Sequence, residues 1–522
     1  MNVFLILSLL FIAVSGVFAS LRHIQMFQQN SYFLNRYFSW AKENIKARFY
    51  FSLTIALIEI CFIVFKLYVP LFILSLFELA IRITAALSTQ KKSIKKLVFT
   101  HRIIRLICAL STFYAILFLV IALVNKFSII FTTVCAIYIL LSHIPAAKLF
   151  AGAFLMSFIE KAISNGYLKD AKRILAGYDN LIKIGITGSY GKTSVKFILK
   201  RILSEKYNVV ATPESYNTPL GIIRTIREHF APETEVFIAE MGAKKPYDIK
   251  EICDIVKPNI GIITAVGPQH LESFKSIENI KKTKFELADE CKNVYVNFES
   301  AAAKEKAGEY VTHSYGLCDD YETYAKNIKI TEHGTEFDVS HFGREFHITT
   351  KLLGLHNVVN IVGAIAIALE LNVDENKIRY AVSNLSPYEH RLQKKSFING
   401  SILLDDSYNS NPEGSLAAVK ILAEFKNKKK IIVTPGMVEL GSREYEYNYN
   451  FGTACANVAD YLILVGEQRS KPMFAAASEI GFDKDKMFVV KQFSNALELL
   501  NKLCDNNTIV LFENDLPDNY AG

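Results

Sequence analysis

The chain has 522 residues, 51% of them hydrophobic, with 59 Lys and Arg set against 51 Asp and Glu. That length exceeds one ordinary domain and points to three or four units. The net charge of +8 comes from basic clusters flanking apolar runs, with no basic stripe interleaved with aromatics, which argues against a nucleic-acid partner; the eight cysteines never form a C-x-x-C pair and read as reduced core residues.

Residues 3–19 are apolar, and Val17-Phe-Ala19 resembles a cleavage site. The preceding Met-Asn carries no positive charge, so the run reads as a retained membrane helix and not as a secretory signal. Further apolar runs at 49–65, 68–87, 107–124 and 128–147 approach the roughly 20 residues needed to cross a bilayer. Arg22, Arg36, Lys42, Lys46 and Arg48 separate the first two runs. Lys91, Lys92, Lys95, Lys96, Arg102 and Arg105 separate the third and fourth, whereas the other connections carry only Lys66 and Lys126. The positive-inside rule then places the N-terminus outside and both basic loops in the cytoplasm. Five crossings leave everything after Lys148 in the cytoplasm, on a multi-pass membrane protein. The expected organisation is a transmembrane region over 1–149, a connector helix over 150–180, a central domain over 181–386 and a smaller α/β domain over 387–522.

Residues 181–186 have the length of a buried strand, and 195–203 repeat apolar residues at helical spacing. Between them runs Thr187-Gly-Ser-Tyr-Gly-Lys-Thr-Ser194. Strand, glycine loop and helix in that order make a phosphate cradle. Backbone N–H groups and the helix N-terminus face the anion, Lys192 adds a point charge, and a hydroxyl can hold magnesium. The strict pattern asks for Gly five residues before Gly191, where Ile186 stands. Strand-like runs at 235–240, 260–266 and 294–297 continue a βαβ rhythm, the mark of a parallel sheet. Residues 320–352 alternate with period two and predict an antiparallel patch, closed by a helix over 358–370. A second alternation at 401–404, 430–433, 461–465, 487–490 and 508–512 predicts a Rossmann-like C-terminal α/β domain.

Glu240 ends one predicted strand, and His270 follows just after another. Ligands of open parallel sheets gather outside those ends, so the two read together as magnesium ligands beside the loop. Lys281, Lys282 and Lys284, followed by Glu286, read as a solvated helix face. His356, Asn357 and Asn360 stand at the start of a helix, where Asn either caps the helix or recognises a purine edge. Glu389-His-Arg391 precedes a strand end that delivers Asp405, Asp406 and Tyr408 into one loop. Turn chemistry explains the neighbouring Asn, Ser and Pro, but not two aspartates after an apolar strand.

In this order TGSYGKTS, FIAEMGA, ITAVGPQHLESF, KKTKFELA, GLHNVVN, EHR, DDSYNSNP and PGMVELG resemble the Mur ligase family, the ATP-dependent peptide-bond formers of bacterial wall precursor synthesis. DDSYNSNP and GMVELG are most similar to the members that add D-alanyl-D-alanine to a muramoyl peptide. The resemblance covers about residues 181–500. It implies that Thr187, Gly188, Ser189, Gly191, Lys192, Thr193 and Ser194 hold the ATP phosphates. Thr193, Glu240 and His270 would be magnesium ligands, and Lys284 would carry a carbamate facing a second magnesium. Asn357 would meet adenine, Arg391 the phosphates and Asp406 the ribose side. Lys192, His270 and Lys284 would be the catalytic groups of a reaction that passes through an acyl phosphate. The family's soluble domain for the uridine-nucleotide sugar is replaced here by apolar spans, and the C-terminal segment 511–520 lacks the usual lysine-containing end. Both departures leave the acceptor open: a muramoyl peptide, a lipid-linked precursor, or a folate or polyglutamate carboxylate. A folate-type loop usually ends Gly-Lys-Gly-Ser, unlike this Gly-Lys-Thr-Ser. A non-catalytic membrane scaffold that binds nucleotide is the alternative from another class.

Overall fold

The computed structural model describes residues 2–514 apart from 31, 45, 93–95, 125–127, 214–215, 332–333, 389 and 408–410. The side chains of Arg36, Lys46, Arg48, Lys91, Lys92, Lys95 and Lys126 lie outside the described residues, as do Glu389, Tyr408 and the segment 515–520. The chain divides into two compact units, one up to Asn165 and one from Gly166 onward.

The first unit is helical: Val3–Gln29, Leu34–Asn44, Lys46–Val64, Tyr68–Lys92, His101–Val124, Ser128–His143 and the start of Pro145–Ala176. Leu5, Leu9, Ile12, Ala56, Ile63 and Ile139 pack in its interior, while Leu119 and Leu123 are exposed on its outside. Among the described residues, three helices are long and apolar enough to cross a membrane, Val3–Gln29, Tyr68–Thr89 and His101–Val124, or four if the bent pair Ile129–His143 and Pro145–Phe154 is one span. The second and fifth expected crossings differ from the reading above. Phe49–Val64 is a shorter apolar helix, and Ile129–His143 meets Pro145–Phe154 at a bend of 97°. Pro145 lacks the N–H a continuing helix needs and disfavours helical backbone at Ile144, which breaks the element there. The long helix Pro145–Ala176 carries the expected connector without interruption, so no break falls at 149/150. Trp40, the chain's one tryptophan, packs edge-on against His23 with centroids 5.9 Å apart and lies near Tyr37.

The second unit holds two sheets. The larger contains β1 (Ile182–Thr187), β2 (Val209–Ala211), β3 (Val236–Glu240), β4 (Ile260–Ile263), β5 (Asn293–Asn297), β6 (His313–Gly316), β7 (Thr323–Thr331), β8 (Gly334–His341) and β9 (Arg344–Thr350), in the order β2-β3-β1-β4-β5-β6-β7-β8-β9. Pairing is parallel from β2 through to β7 and antiparallel from β7 to β9. Apolar side chains fill both faces of the parallel part. Helices Lys192–Leu203 and Leu355–Glu370 cover one face through Val195, Leu199, Ile361 and Ile365. Helices Pro219–His229, Asp248–Val256 and Ile277–Phe285 cover the other through Ile222, Ile252 and Ile280. Burial on both faces is why these strands read as continuous apolar runs.

The smaller sheet contains β10 (Gln393–Ser396), β11 (Ile402–Asp406), β12 (Lys429–Thr434), β13 (Tyr461–Val465), β14 (Met487–Val490) and β15 (Thr508–Glu513), in the order β10-β11-β15-β12-β13-β14. All its pairs are parallel except β10 with β11. In the larger sheet β1 lies between β3 and β4, and the chain reverses its winding direction there. The crevice outside the C-terminal ends of β1, β3 and β4 is therefore the place such folds give to ligands.

Candidate functional site

β1 ends at Thr187, whose hydroxyl donates to the Met241 carbonyl at 3.1 Å. The chain then turns through Gly188 and Gly191, with φ of +147° and +79°. At Gly188 a Cβ would lie 2.1 Å from Thr264 Oγ1, so no side chain fits this approach of loop to β4. Ser189 fixes the loop from the other side: its N–H donates to Ala265 O at 2.6 Å and its hydroxyl to Gly267 O at 2.9 Å. Tyr190 Oη donates to Pro268 O at 2.9 Å. Ser189 and Tyr190 are thus tied to the segment after β4, against which Gly188 packs, and the helix Lys192–Leu203 begins with its free N–H groups at the turn.

Lys192 folds back over the loop it follows, donating to Gly188 O at 2.6 Å and Ser189 O at 3.0 Å. Desolvation, with Arg391 nearby, pushes its amine down to about 8 against the opposing pull of Glu240. Thr193 Oγ1 donates to Glu240 Oε1 at 3.2 Å, and Asn217 Nδ2 donates to the same oxygen at 3.1 Å. The other oxygen, Oε2, forms an ion pair of 2.9 Å with Lys196 Nζ, and both side chains are fully buried. Sequence reasoning missed Lys196. Its signal was a lysine one turn after Lys192, set among the apolar positions 195, 198, 199 and 202, where only a buried partner makes it tolerable.

His270 stands in the left-handed region with φ +53° and pairs through Nδ1 with Glu439 of the PGMVELG segment. A carboxylate on Nδ1 fixes the ring and its orientation. Desolvation holds the ring below the usual histidine range, with Glu439 opposing it. Glu439 is a second residue missed by sequence reasoning, which read its segment only for resemblance. Lys284 corrects the reading of a solvated helix face: it is 2% exposed, and Lys281 beside it is 8% exposed and paired with Glu278 and Glu305. Burial, reinforced by the Lys192 charge, holds the Lys284 amine well below the usual lysine range.

The C-terminal domain completes a cavity of about 520 Å³ on the far side of the glycine loop. That volume falls within the range of small-ligand pockets. Gly191, Ser194, Asn357, Arg391 and Asp406 all line it. Thr187, Gly188, Ser189, Lys192, Thr193, Glu240, His270 and Lys284 do not line it and lie around the loop itself. Asn357 Nδ2 donates to Leu353 O at 2.9 Å, so its amide currently braces its own helix start. Asp406, at the end of β11, accepts from Leu392 N at 3.2 Å; burial raises its carboxyl, with Arg391 opposing. Glu513, its register partner on β15, also lines the cavity. Phe197 and Tyr388 stack in the wall at 4.2 Å, joining the two domains. His356 beside them is depressed to about 4 by desolvation and Arg391.

Fold and site define a two-domain α/β protein with a phosphate loop facing a nucleotide-sized cavity. The chain belongs to the Mur ligase family, whose members are ATP-dependent amide-forming ligases. The model of the Mur ligase middle domain matches residues 186–368, and that of the Mur ligase glutamate ligase domain matches 390–513, together more than half of the chain. It is 28% identical over 328 residues to the UDP-N-acetylmuramoyl-tripeptide–D-alanyl-D-alanine ligase of Buchnera aphidicola, covering 61% of this chain and 68% of that one. To the Escherichia coli ligase of the same name it is 29% identical, covering 55% and 64%. The MurF ligase from Thermotoga maritima, solved in complex with ADP, superposes with a TM-score of 0.60 at 25% identity over 67% of this chain and 80% of that one. The chain thus spans about two thirds of the length of the curated relatives it matches.

Proposed function

We propose that the protein is a membrane-anchored ligase that uses ATP and Mg²⁺ to join D-alanyl-D-alanine, or a similar amine, to a muramoyl-peptide carboxylate. The observation that carries the reading is the Thr193–Glu240 contact beside the Lys192 loop, with Asn357, Arg391 and Asp406 around the adjoining cavity. Thr193, Glu240 and the free Nε2 of His270 are a donor set of the kind Mg²⁺ sites offer, His being the less usual member. Mg²⁺ bound there would neutralise charge on the transferring phosphoryl group. The rest falls to the chain's own groups. Lys192, whose amine burial pushes down to about 8, is mainly protonated at pH 7 and would answer the charge that develops on the γ-phosphate. The acceptor carboxylate attacks the γ-phosphorus, the bond to the bridging oxygen breaks, and ADP leaves an acyl phosphate. The amine then attacks the acyl carbon, loses a proton and expels phosphate.

The buried, readily deprotonated Lys284 suits carbamylation, in which its neutral amine adds to carbon dioxide and releases a proton. Positive loops fit a topology with the N-terminus outside and the ligase domains in the cytoplasm, where ATP is. The three membrane-length helices favour a second reading of the acceptor, in which it is attached to a lipid carrier. Full-length protein in detergent, supplied with ATP, Mg²⁺, D-alanyl-D-alanine and a nucleotide-linked muramoyl tripeptide, should release phosphate only when the acceptor is present. Release with lipid-linked tripeptide alone would select the second reading. No acceptor-dependent release with either would overturn the proposal.

A further inference from the structure

The first unit buries a group of ionisable side chains that the ligase chemistry does not use. Glu59, Glu78 and His143 come from three helices, Lys46–Val64, Tyr68–Lys92 and Ser128–His143, and are 0%, 3% and 2% exposed. Their ligand atoms all lie within 4.8 Å of one another. Glu78 Oε1 is held by Arg82 Nε at 2.5 Å, and Arg82 Nη2 reaches Ser52 Oγ at 3.3 Å. Four buried acceptor atoms are left without a hydrogen-bond donor: both Glu59 oxygens, Glu78 Oε2 and His143 Nε2.

The histidine decides what belongs among them. His143 Nδ1 lies 3.0 Å from the Ile139 carbonyl, which accepts only, so Nδ1 carries the hydrogen and Nε2 presents its lone pair. That lone pair faces Glu78 Oε1 at 3.0 Å and Glu59 Oε2 at 3.5 Å. Two carboxylates and an imidazole lone pair repel one another, Arg82 bonds only to the Glu78 carboxylate, and deep burial magnifies the repulsion that is left. A proton on Nε2 would answer the Glu78 charge 3.0 Å away and would still leave both Glu59 oxygens without a partner. The separations suit a metal better: two donor atoms about 2.1 Å from a tetrahedral ion lie about 3.4 Å apart. An imidazole anchored to a backbone carbonyl through Nδ1 is also the usual support of a metal-ligating histidine. Hard cations that demand six or more oxygen ligands do not fit this set.

We propose that Glu59, Glu78 and His143 bind one divalent transition-metal ion, with zinc as the best match, tying together three helices of the apolar unit. The test uses the full-length chain in detergent, exposed to Zn²⁺ and then cleared of loosely held metal with a weak chelator. The expected result is one retained zinc per chain, and Co²⁺ in its place should give the intense visible absorption of a tetrahedral site. Glu59→Gln and His143→Gln should each lower zinc affinity by more than about 10-fold, while His270→Ala, altered in the ligase domain, should keep the metal. A wild-type chain that retains no zinc overturns the proposal whether or not the variants fold. So does a retained zinc that disappears in His270→Ala and persists in Glu59→Gln.

Discussion

Lys196→Met isolates the buried pair behind the glycine loop. Methionine keeps the apolar stem of the side chain and removes only the ammonium. At 2.9 Å the attraction to Glu240 is about 6 kcal/mol before desolvation, taking an effective dielectric of 20. Removing one partner leaves Glu240 buried with only Thr193 and Asn217, and such losses typically destabilise by about 3–5 kcal/mol. For a unit of this size that lowers the thermal midpoint by about 4–7 °C. Glu240→Gln removes the opposite charge, and Lys196→Met/Glu240→Gln removes both. The cycle should show a coupling of at least about 2 kcal/mol, with the double variant more stable than the sum of the single changes requires. Calorimetric melts of the four proteins measure it. A Lys196→Met midpoint within about 2 °C of wild type, with additive single effects, would refute the argument that this pair holds the carboxylate in place.

Gly188→Ala places a methyl 2.1 Å from Thr264 Oγ1 at a φ of +147°, so the loop must move; ATP affinity should fall at least about 10-fold by titration calorimetry, and unchanged affinity would show that the approach is not needed. With the Lys192 amine near 8, phosphate binding at pH 8.5 should raise its pKa and take up a proton, seen as buffer-dependent binding heat and absent in Lys192→Arg. The sign for folding is opposite to a salt-bridge lysine: the unfolded chain holds more protons between about 8 and 10.5, so Lys192's contribution to stability rises with pH across that window. If Lys284 carries a carbamate, Lys284→Ala should abolish turnover, and bicarbonate should partly restore wild-type activity lost at low carbon dioxide; a variant with near-normal rate rules it out.

What could be read from the chain was whatever local spacing encodes. The glycine loop between an apolar run and a helix needs only neighbouring residues, and β1 lies within one residue of its expected bounds. β2, three residues long, and β6 carry too little pattern to stand out, and their place comes from pairing with β3 and β5. Gly191, Asn357, Arg391 and Asp406 line one cavity although up to 215 positions separate them, because ordered motifs stood in for geometry. Burial was the quantity least visible. Lys284 looks solvated by composition and is enclosed by packing, and the Lys196–Glu240 and His270–Glu439 pairs join segments that no periodicity connects. The bend after His143 was legible in Pro145, but hydropathy alone ran through it.

The position of Trp40 has an optical consequence. The chain's one indole lies in the helical unit against His23, so tryptophan emission excited near 295 nm reports on that unit and not on the two sheets. Tyrosine, with 25 copies spread over the chain, carries the signal of the remainder. A single melting run recorded at both excitations therefore separates the two units without any label, and each ligase-domain variant carries its own internal reference for whether the helical unit is intact.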